Sequence, residues 1–419
     1  MIASDPPGTP SPGPARDPVP EIAAMLRRRT LANARFFAAE AERLARLCRR
    51  MAERFARGGR LVAFGRSPAA RSDVRHVAVE FVHPVIVGKR ALPAIGLARE
   101  GGSLVRQLDL IADPDDIAVA FGAETGDPET LRALHLARRR GCLTVAFGGA
   151  GAEWDFVPPD EDPFVRQELV ETSYHLLWEL VHVFFDHQGL LAGRAERPRH
   201  DAGASSFLYP FLGQQERAPE RVVADVAGSV RMKADEIGEL RRQTLEEGAP
   251  TLARAAGELR RRFDAGGKLL ALGNGGSATD AMDLVADLRS PPDGGAGRPA
   301  IDLTEDAAIL TALANDIGPD VLFSRQVIAY GRAGDVVVAL STSGNSRNVI
   351  AALEEARRRE LATVAFVGYD GGRVAAEGLA DFVVVTRSEH IPRIQEAQAS
   401  AYHALVELVR RGPARGAAT

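Results

Sequence analysis

The sequence predicts an α/β fold that occurs twice, each time as a doubly wound, flavodoxin-like parallel sheet with helices on both faces. Three observations predict it. Short, nearly continuous runs of Val, Leu, Ala and Ile alternate with amphipathic helical stretches, the pattern of strands buried on both faces of a parallel sheet. The chain also repeats itself: ARGGRLVAFG (56–65) matches DAGGKLLALG (264–273), RRRGCLTVAFGG (138–149) matches RRRELATVAFVG (357–368), and VRQELVETSYHLLWELV (165–181) matches RIQEAQASAYHALVELV (393–409). A repeat this long is a duplicated domain rather than a solenoid unit. Finally, strand runs of the second half pass directly into loops rich in Gly and Ser at helix starts, where such sheets bind ligands.

Taken in order, residues 1–20 are rich in Pro and carry acid. They predict a disordered leader and lack the charged start and apolar middle of a signal peptide. Residues 21–187 form the first domain: a long helical stretch, then strands LVAFG (61–65), IAVAFG (117–122) and TVAFGG (144–149) with helices between, and a closing helix. Residues 188–219 have no apolar period and read as a linker, whose SSFLYPFL segment (205–212) is expected to dock on a neighbouring surface. Residues 220–412 form the second domain, with strands LLALGN (269–274), VVVALSTS (336–343), TVAFVGY (363–369) and FVVVT (382–386).

Composition removes several functional classes. A net charge of −4 offers no basic balance for nucleic acid, and the Arg clusters at 27–29, 138–140 and 357–359 fall in helical patterns as solvated faces. Two cysteines are too few for a disulfide scaffold or a thiolate metal site and fit a reducing cytoplasm. No apolar run reaches the about 18 residues of a membrane span, so no membrane partner is expected.

The chemistry concentrates in two loops of the second half. GNGGSATDAMDL (273–284) places Asn274, Gly275, Gly276 and Ser277 at a helix start, where the glycines permit close backbone approach and free N–H groups attract anions. STSGNSRNVI (341–350) adds the hydroxyls of Ser341, Thr342, Ser343 and Ser346 at a second helix start. Capping explains one or two such hydroxyls; two loops of this kind in one domain point to a phosphoryl group or a sugar. The first-half counterparts are GRSPAARS (65–72) and GAETGDPE (122–129), in which Glu124 and Asp127 would repel a phosphate and Thr125 is the one hydroxyl of the second loop.

GNGGS with its following DAM, ANDIGPDVLFSRQV (314–327), GDVVVALSTSGNS and the RIQE helix together resemble the phosphoheptose isomerase family over about residues 220–410, and more weakly over 20–187. The resemblance implies SIS (sugar isomerase) domains, an aldose–ketose isomerase of sedoheptulose 7-phosphate, a phosphorylated-sugar substrate, no nucleotide cofactor, and a homo-oligomer, as a dimer of the tandem chain. GRAGDVVVALSTSGNSRNVIAALEEA is also similar to DnaA-binding initiator-association proteins, which implies a non-catalytic sugar-phosphate sensor as the alternative. By the same resemblance Asp316 joins the sugar-binding set. The family carries a His-x3-Glu pair, a Gln-x7-His pair and a zinc ion that the four can hold. The matching residues are His76, Glu80, Gln167 and His175 in the first half, and Asp283, Asp287, Gln395 and His403 in the second. The catalytic set implied is Asp287 or Glu80 as base and His175 or His403 as acid. Gln167 and His175 lie eight residues apart on one helix, roughly 12 Å and 80°, too far for one metal. The expectation is that the halves exchange their last histidines: the intact loops with Asp283, Asp287, Gln395 and His175 in one site, and His76, Glu80, Gln167 and His403 in the other.

Overall fold

The computed structural model describes residues 19–85, 89–98, 102–122, 126–186 and 219–411. Residues 188–218 of the expected linker, with its SSFLYPFL segment, and Glu124 and Thr125 lie outside them, while Pro219 opens a helix. Val19 and Pro20, read above as part of a disordered leader, instead open the first helix.

The first half runs α1 (Val19–Ala56), β1 (Leu61–Phe64), α2 (Pro68–Val82), β2 (Ala94–Leu97), α3 (Leu104–Ile111), β3 (Ile117–Ala120), α4 (Pro128–Arg139), β4 (Leu143–Phe147), β5 (Trp154–Phe156) and α5 (Pro163–Asp186). The second runs α6 (Pro219–Asp264), β6 (Leu269–Leu272), α7 (Gly276–Arg289), β7 (Ala300–Asp302), α8 (Ala307–Asp316), a 3-10 turn at Pro319–Val321, α9 (Leu322–Tyr330), β8 (Val336–Ser341), α10 (Arg347–Arg358), β9 (Ala362–Gly368), α11 (Gly372–Ala376), β10 (Phe382–Thr386) and α12 (Ile391–Arg411). Each half holds a five-stranded parallel sheet. The orders, β2-β1-β3-β4-β5 and β7-β6-β8-β9-β10, are the same topology read twice. The edge strands β2, β5 and β7 have only three or four residues and partly exposed faces, and Asp155 and Asp302 interrupt the apolar character of β5 and β7.

Burial on both faces explains the strand composition. In β6, Leu269 and Ala271 enter one core while Leu270 and Leu272 enter the core on the opposite face. In β1, Leu61 and Ala63 part from Val62 and Phe64 in the same way. Period-two alternation thus operates with no polar side.

The halves interlock through their long opening helices. Val222, Val223, Val226, Val230 and Ala234 of α6 bury in the core of the first half, while Ile22, Met25 and Leu26 of α1 bury in that of the second. A buried ionic belt accompanies them. Arg29 binds Glu168 (2.9 Å) and Glu407 (3.0 Å), while Arg393 binds Glu179 (2.6 Å) and Glu396 (2.7 Å). No described helix is long and apolar enough to cross a membrane.

Candidate active site

The second-half loops form one cradle. The chain leaves β6, turns at Gly275 (φ 57) and starts α7 at Gly276. It leaves β8 at Ser341 and starts α10 after Ser346, whose side chain makes no capping bond. A reciprocal amide pair joins the loops: Asn274 Nδ2 donates to Asn348 Oδ1 (2.9 Å) and Asn348 Nδ2 to Asn274 Oδ1 (3.0 Å). Ser341 Oγ accepts from Gly344 N and Ser343 Oγ from Asn345 N, both at 3.2 Å. These bonds fix the turn and set Thr342 and Ser346 at a mouth where two helix N-termini attract an anion. Ser277 is buried behind it. Asp316 closes α8, is exposed, and accepts from Asn315 (2.8 Å).

The first half has no such cradle among its described residues. Ser67 caps α2, accepting from Ala70 N (3.1 Å). Asp127 caps α4, accepting from Thr130 N (2.9 Å). Arg66 pairs with Asp127 and Glu129 at 3.4 and 2.7 Å. Its loop charges are spent on each other.

Helices α2 and α7 pack side by side and antiparallel: Ser72 Oγ reaches Asp283 Oδ1 (3.2 Å), His76 Nδ1 lies 4.0 Å from Asp280 Oδ1, and His76 Nε2 sits against Gly276. A Cβ on Gly276 would fall 2.9 Å from His76 Nε2 and closer still to Gln395 Nε2. The histidine of the first half therefore stands on the cradle of the second.

Two buried clusters result. In the first, His76 Nε2 lies 3.2 Å from His175 Nε2, 3.5 Å from Gln395 Nε2 and 3.9 Å from Glu80 Oε1. The outer nitrogens are held: His175 Nδ1 lies 3.0 Å from Glu396 Oε1, and His76 Nδ1 lies 3.0 Å from the Tyr174 hydroxyl. Glu80 Oε2 and Gln395 Oε1 are buried without hydrogen-bond partners. Ligand atoms of His76, Glu171 and His175 also lie within 4.8 Å of one another. In the second cluster, His403 Nε2 lies 3.1 Å from Asp283 Oδ2 and 3.5 Å from Asp287 Oδ2, and Gln167 Nε2 donates to Asp283 Oδ1 (2.7 Å). His403 Nδ1 lies 2.9 Å from Glu168 Oε1, and the Tyr402 hydroxyl donates to Asp283 Oδ2 (2.9 Å).

This corrects the expected exchange. His175 and His403 stay with the helix pairs of their own halves, and the glutamines cross, with the glutamates beside them. The eight-residue spacing does divide each last helix between two clusters, but the end that crosses is the one nearer the helix start. The reason is the antiparallel packing of α2 on α7, which brings the start of each last helix to the other half's site. The intact cradle consequently faces His76, Glu80, His175 and Gln395. Asp283 and Asp287, with Gln167 and His403, belong to the other cluster.

Glu168, Glu396, Tyr174 and Tyr402 were legible: the Gln-Glu and Tyr-His dipeptides recur at matching places in the two closing helices. Glu171 had no such signal, since Ala399 occupies the matching position.

The electrostatics of the two clusters are opposite. Burial, with His175 beside it, holds the His76 imidazole well below its ordinary range. Burial pushes the Glu80 carboxyl up to about 7. Burial would lower His403 too, but its bonds to Asp283 and Glu168 raise it well above the ordinary range. Burial and the neighbouring Asp283 raise Asp287. A base near neutrality beside a neutral imidazole suits proton transfer; an imidazolium among carboxylates is a neutralised ion cluster.

Comparison with known proteins agrees. The SIS domain family model matches residues 234–368. The phosphoheptose isomerase of Thermodesulfovibrio yellowstonii is 38% identical over 190 residues, 44% of this chain and 92% of that protein. The phosphoheptose isomerase of Chlorobium phaeobacteroides is 48% identical over 153 residues, 36% of this chain and 67% of that protein. Two solved structures share the fold over nearly the whole chain. The C-terminal domain of glucosamine-fructose-6-phosphate aminotransferase from Francisella tularensis has a TM-score of 0.56 at 10% identity, covering 93% of this chain and 95% of that one. The tagatose-6-phosphate ketose/aldose isomerase from Escherichia coli has a TM-score of 0.52 at 12% identity, covering 93% and 91%. With two SIS-like domains on the page and a relative matched over nearly its full length, the chain belongs to the phosphoheptose isomerase family of SIS-domain proteins.

Proposed function

We propose that the chain is a sugar-phosphate isomerase with one competent site, assembled from both halves, which interconverts sedoheptulose 7-phosphate and a heptose 7-phosphate. The observation that carries this reading is the contact of His76 and Gln395 with Gly276, which sets the intact His, Glu, His and Gln group at the mouth of the intact cradle.

Aldose–ketose exchange moves a proton between two adjacent carbons through an enediol. Glu80, with a carboxyl raised to about 7, accepts the carbon-bound proton and returns it to the neighbouring carbon. His175, anchored by Glu396, handles the proton at the substrate oxygens. Ser341, Thr342, Ser343 and Ser346, with the N-termini of α7 and α10, hold the phosphate and position the chain. This moves the base from Asp287 to Glu80, because Asp287 lies in the cluster away from the cradle.

The first cluster also fits the zinc ion that the family resemblance implies. Two imidazole nitrogens face each other at 3.2 Å, and oxygens of Glu80 and Gln395 are unpartnered there. His76, His175, Gln395 and one Glu80 oxygen would hold it. When bound it polarises the carbonyl and stabilises the enediolate. A dimer of the tandem chain remains part of this reading: α8, AAILTALAND, has no buried residue despite its apolar sequence.

The test is turnover of sedoheptulose 7-phosphate by wild type, Glu80→Gln and Asp287→Asn. Glu80→Gln loses the larger share of kcat. A larger loss in Asp287→Asn would sink the assignment. Absent turnover in wild type, with the phosphosugar still raising Tm, would identify a binding protein instead.

A further inference from the structure

His175 is fixed from outside its own half, and the fixing does not stop at Glu396. Glu396 Oε1 lies 3.0 Å from His175 Nδ1. Its other oxygen accepts from Arg393 NH1 (2.7 Å), and Arg393 NH2 donates to Glu179 Oε1 (2.6 Å). Lys233 Nζ lies 2.7 Å from the second Glu179 oxygen. All of these side chains are buried. The contacts run from α6 to α5, on to α12 and back to α5, and end on the imidazole that faces His76.

Each oxygen of Glu396 therefore has one task. The guanidinium fork holds Oε2, which leaves Oε1 to accept from His175 Nδ1–H. A ring that donates from Nδ1 presents a bare Nε2 to the site, 3.2 Å from His76 Nε2. That nitrogen is the atom free to take and return a proton at a substrate oxygen, with the carboxylate behind it setting tautomer and ring angle. The same device stands behind His403, built from different parts. Glu168 and Glu407 occupy the places of Glu396 and Glu179, but Val165 stands where Arg393 stands. There the fork comes from Arg29 of α1.

We propose that Arg393 is a positioning residue: by tying Glu396 to Glu179 and, through it, to Lys233, it holds His175 in the Nδ1–H form with Nε2 presented to the substrate. What His175 then does rests on the isomerase reading; how it is held rests on the geometry alone. Lysine has the same charge but a single ammonium in place of a planar fork, so it cannot hold both carboxylates in this arrangement.

The test sets Arg393→Lys against Arg29→Lys in the full chain, because each removes one buried fork. Arg393→Lys is expected to lower kcat on sedoheptulose 7-phosphate by about 10–100-fold, with KM unchanged. Arg29→Lys is expected to lower Tm comparably and to leave kcat as in wild type. A second reading needs no substrate. Long-range proton–nitrogen spectra of the chelator-treated chain, labelled at histidine, report the tautomer, with His175 assigned by the signals lost in His175→Gln. Wild type is expected to show the Nδ1–H form alone, and Arg393→Lys a mixture of both neutral forms. The proposal is overturned if Arg393→Lys keeps the wild-type tautomer, or if Arg29→Lys loses as much kcat. Should Arg393→Lys fail to fold, Glu396→Gln decides: its amide no longer demands a proton on Nδ1, so loss of the Nδ1–H form supports the relay and its persistence overturns it. A wild type without turnover whose tautomer still changes in Arg393→Lys would sink the isomerase reading and leave the positioning role in place.

Discussion

The two buried clusters share one frame and differ in charge. Each has a last-helix histidine facing two residues of a nearby helix, a glutamine and a glutamate arriving from the other half, and a tyrosine beside the histidine. In the first, the residue facing the histidine is another histidine, burial dominates, and His76 stays neutral. In the second it is Asp283, and His403 is held charged. Replacing His and Glu by two aspartates therefore changes a site with a neutral imidazole into one whose imidazole is charged among carboxylates. A duplicated domain can keep its fold while one of two sites drifts, because burial and helix packing do not depend on which charges compensate which.

The comparison is broken hardest at Glu80. Glu80→Gln should lower kcat by about 10²–10⁴-fold, measured by turnover, with little change in KM. The next effect falls on the belt that both clusters share. Burial alone would raise Glu168, but Arg29 beside it holds the carboxyl down at about 2. A depressed carboxyl stabilises the fold above the ordinary glutamate range near 4.5 and loses that contribution as pH falls towards 2. Acid unfolding followed by circular dichroism should show that loss, and Glu168→Gln should cost roughly 3–5 kcal/mol in denaturant melts at neutral pH.

Glu80 has the opposite sign. Its carboxyl is raised, so the folded state holds a proton that the unfolded state releases, and stability falls as pH rises from about 4.5 through about 7. Glu80→Gln should therefore be more stable than wild type at pH 8 by up to roughly 3 kcal/mol, with no gain at pH 4. Gly276→Ala would press a methyl group into His76 and Gln395; misplacing the pair by about 1 Å should cost on the order of 10²-fold in kcat/KM. Ser346→Ala, which removes one cradle hydroxyl, should be the smallest, a rise in KM from the loss of about 1 kcal/mol of binding.

The site was legible in its members and illegible in its assembly. The constant offset between the closing helices identified Gln167, His175, Gln395 and His403, and the eight-residue spacing required each helix to serve two sites. Which end crosses could not be read, because it depends on the antiparallel contact of α2 with α7, residues far apart in the chain. Glu171 has no counterpart in the repeat and enters the first cluster only through packing.

What the sequence alone determined is local and periodic. Apolar runs buried on both faces dictate parallel strands, glycines and hydroxyls at strand ends dictate the cradle, and the repeat dictates two sheets of one topology. What only the tertiary structure decided is which half's chemistry meets which half's cradle. That choice is made by interlocked helices and buried ion pairs between residues hundreds of positions apart, and such contacts leave no period in the chain.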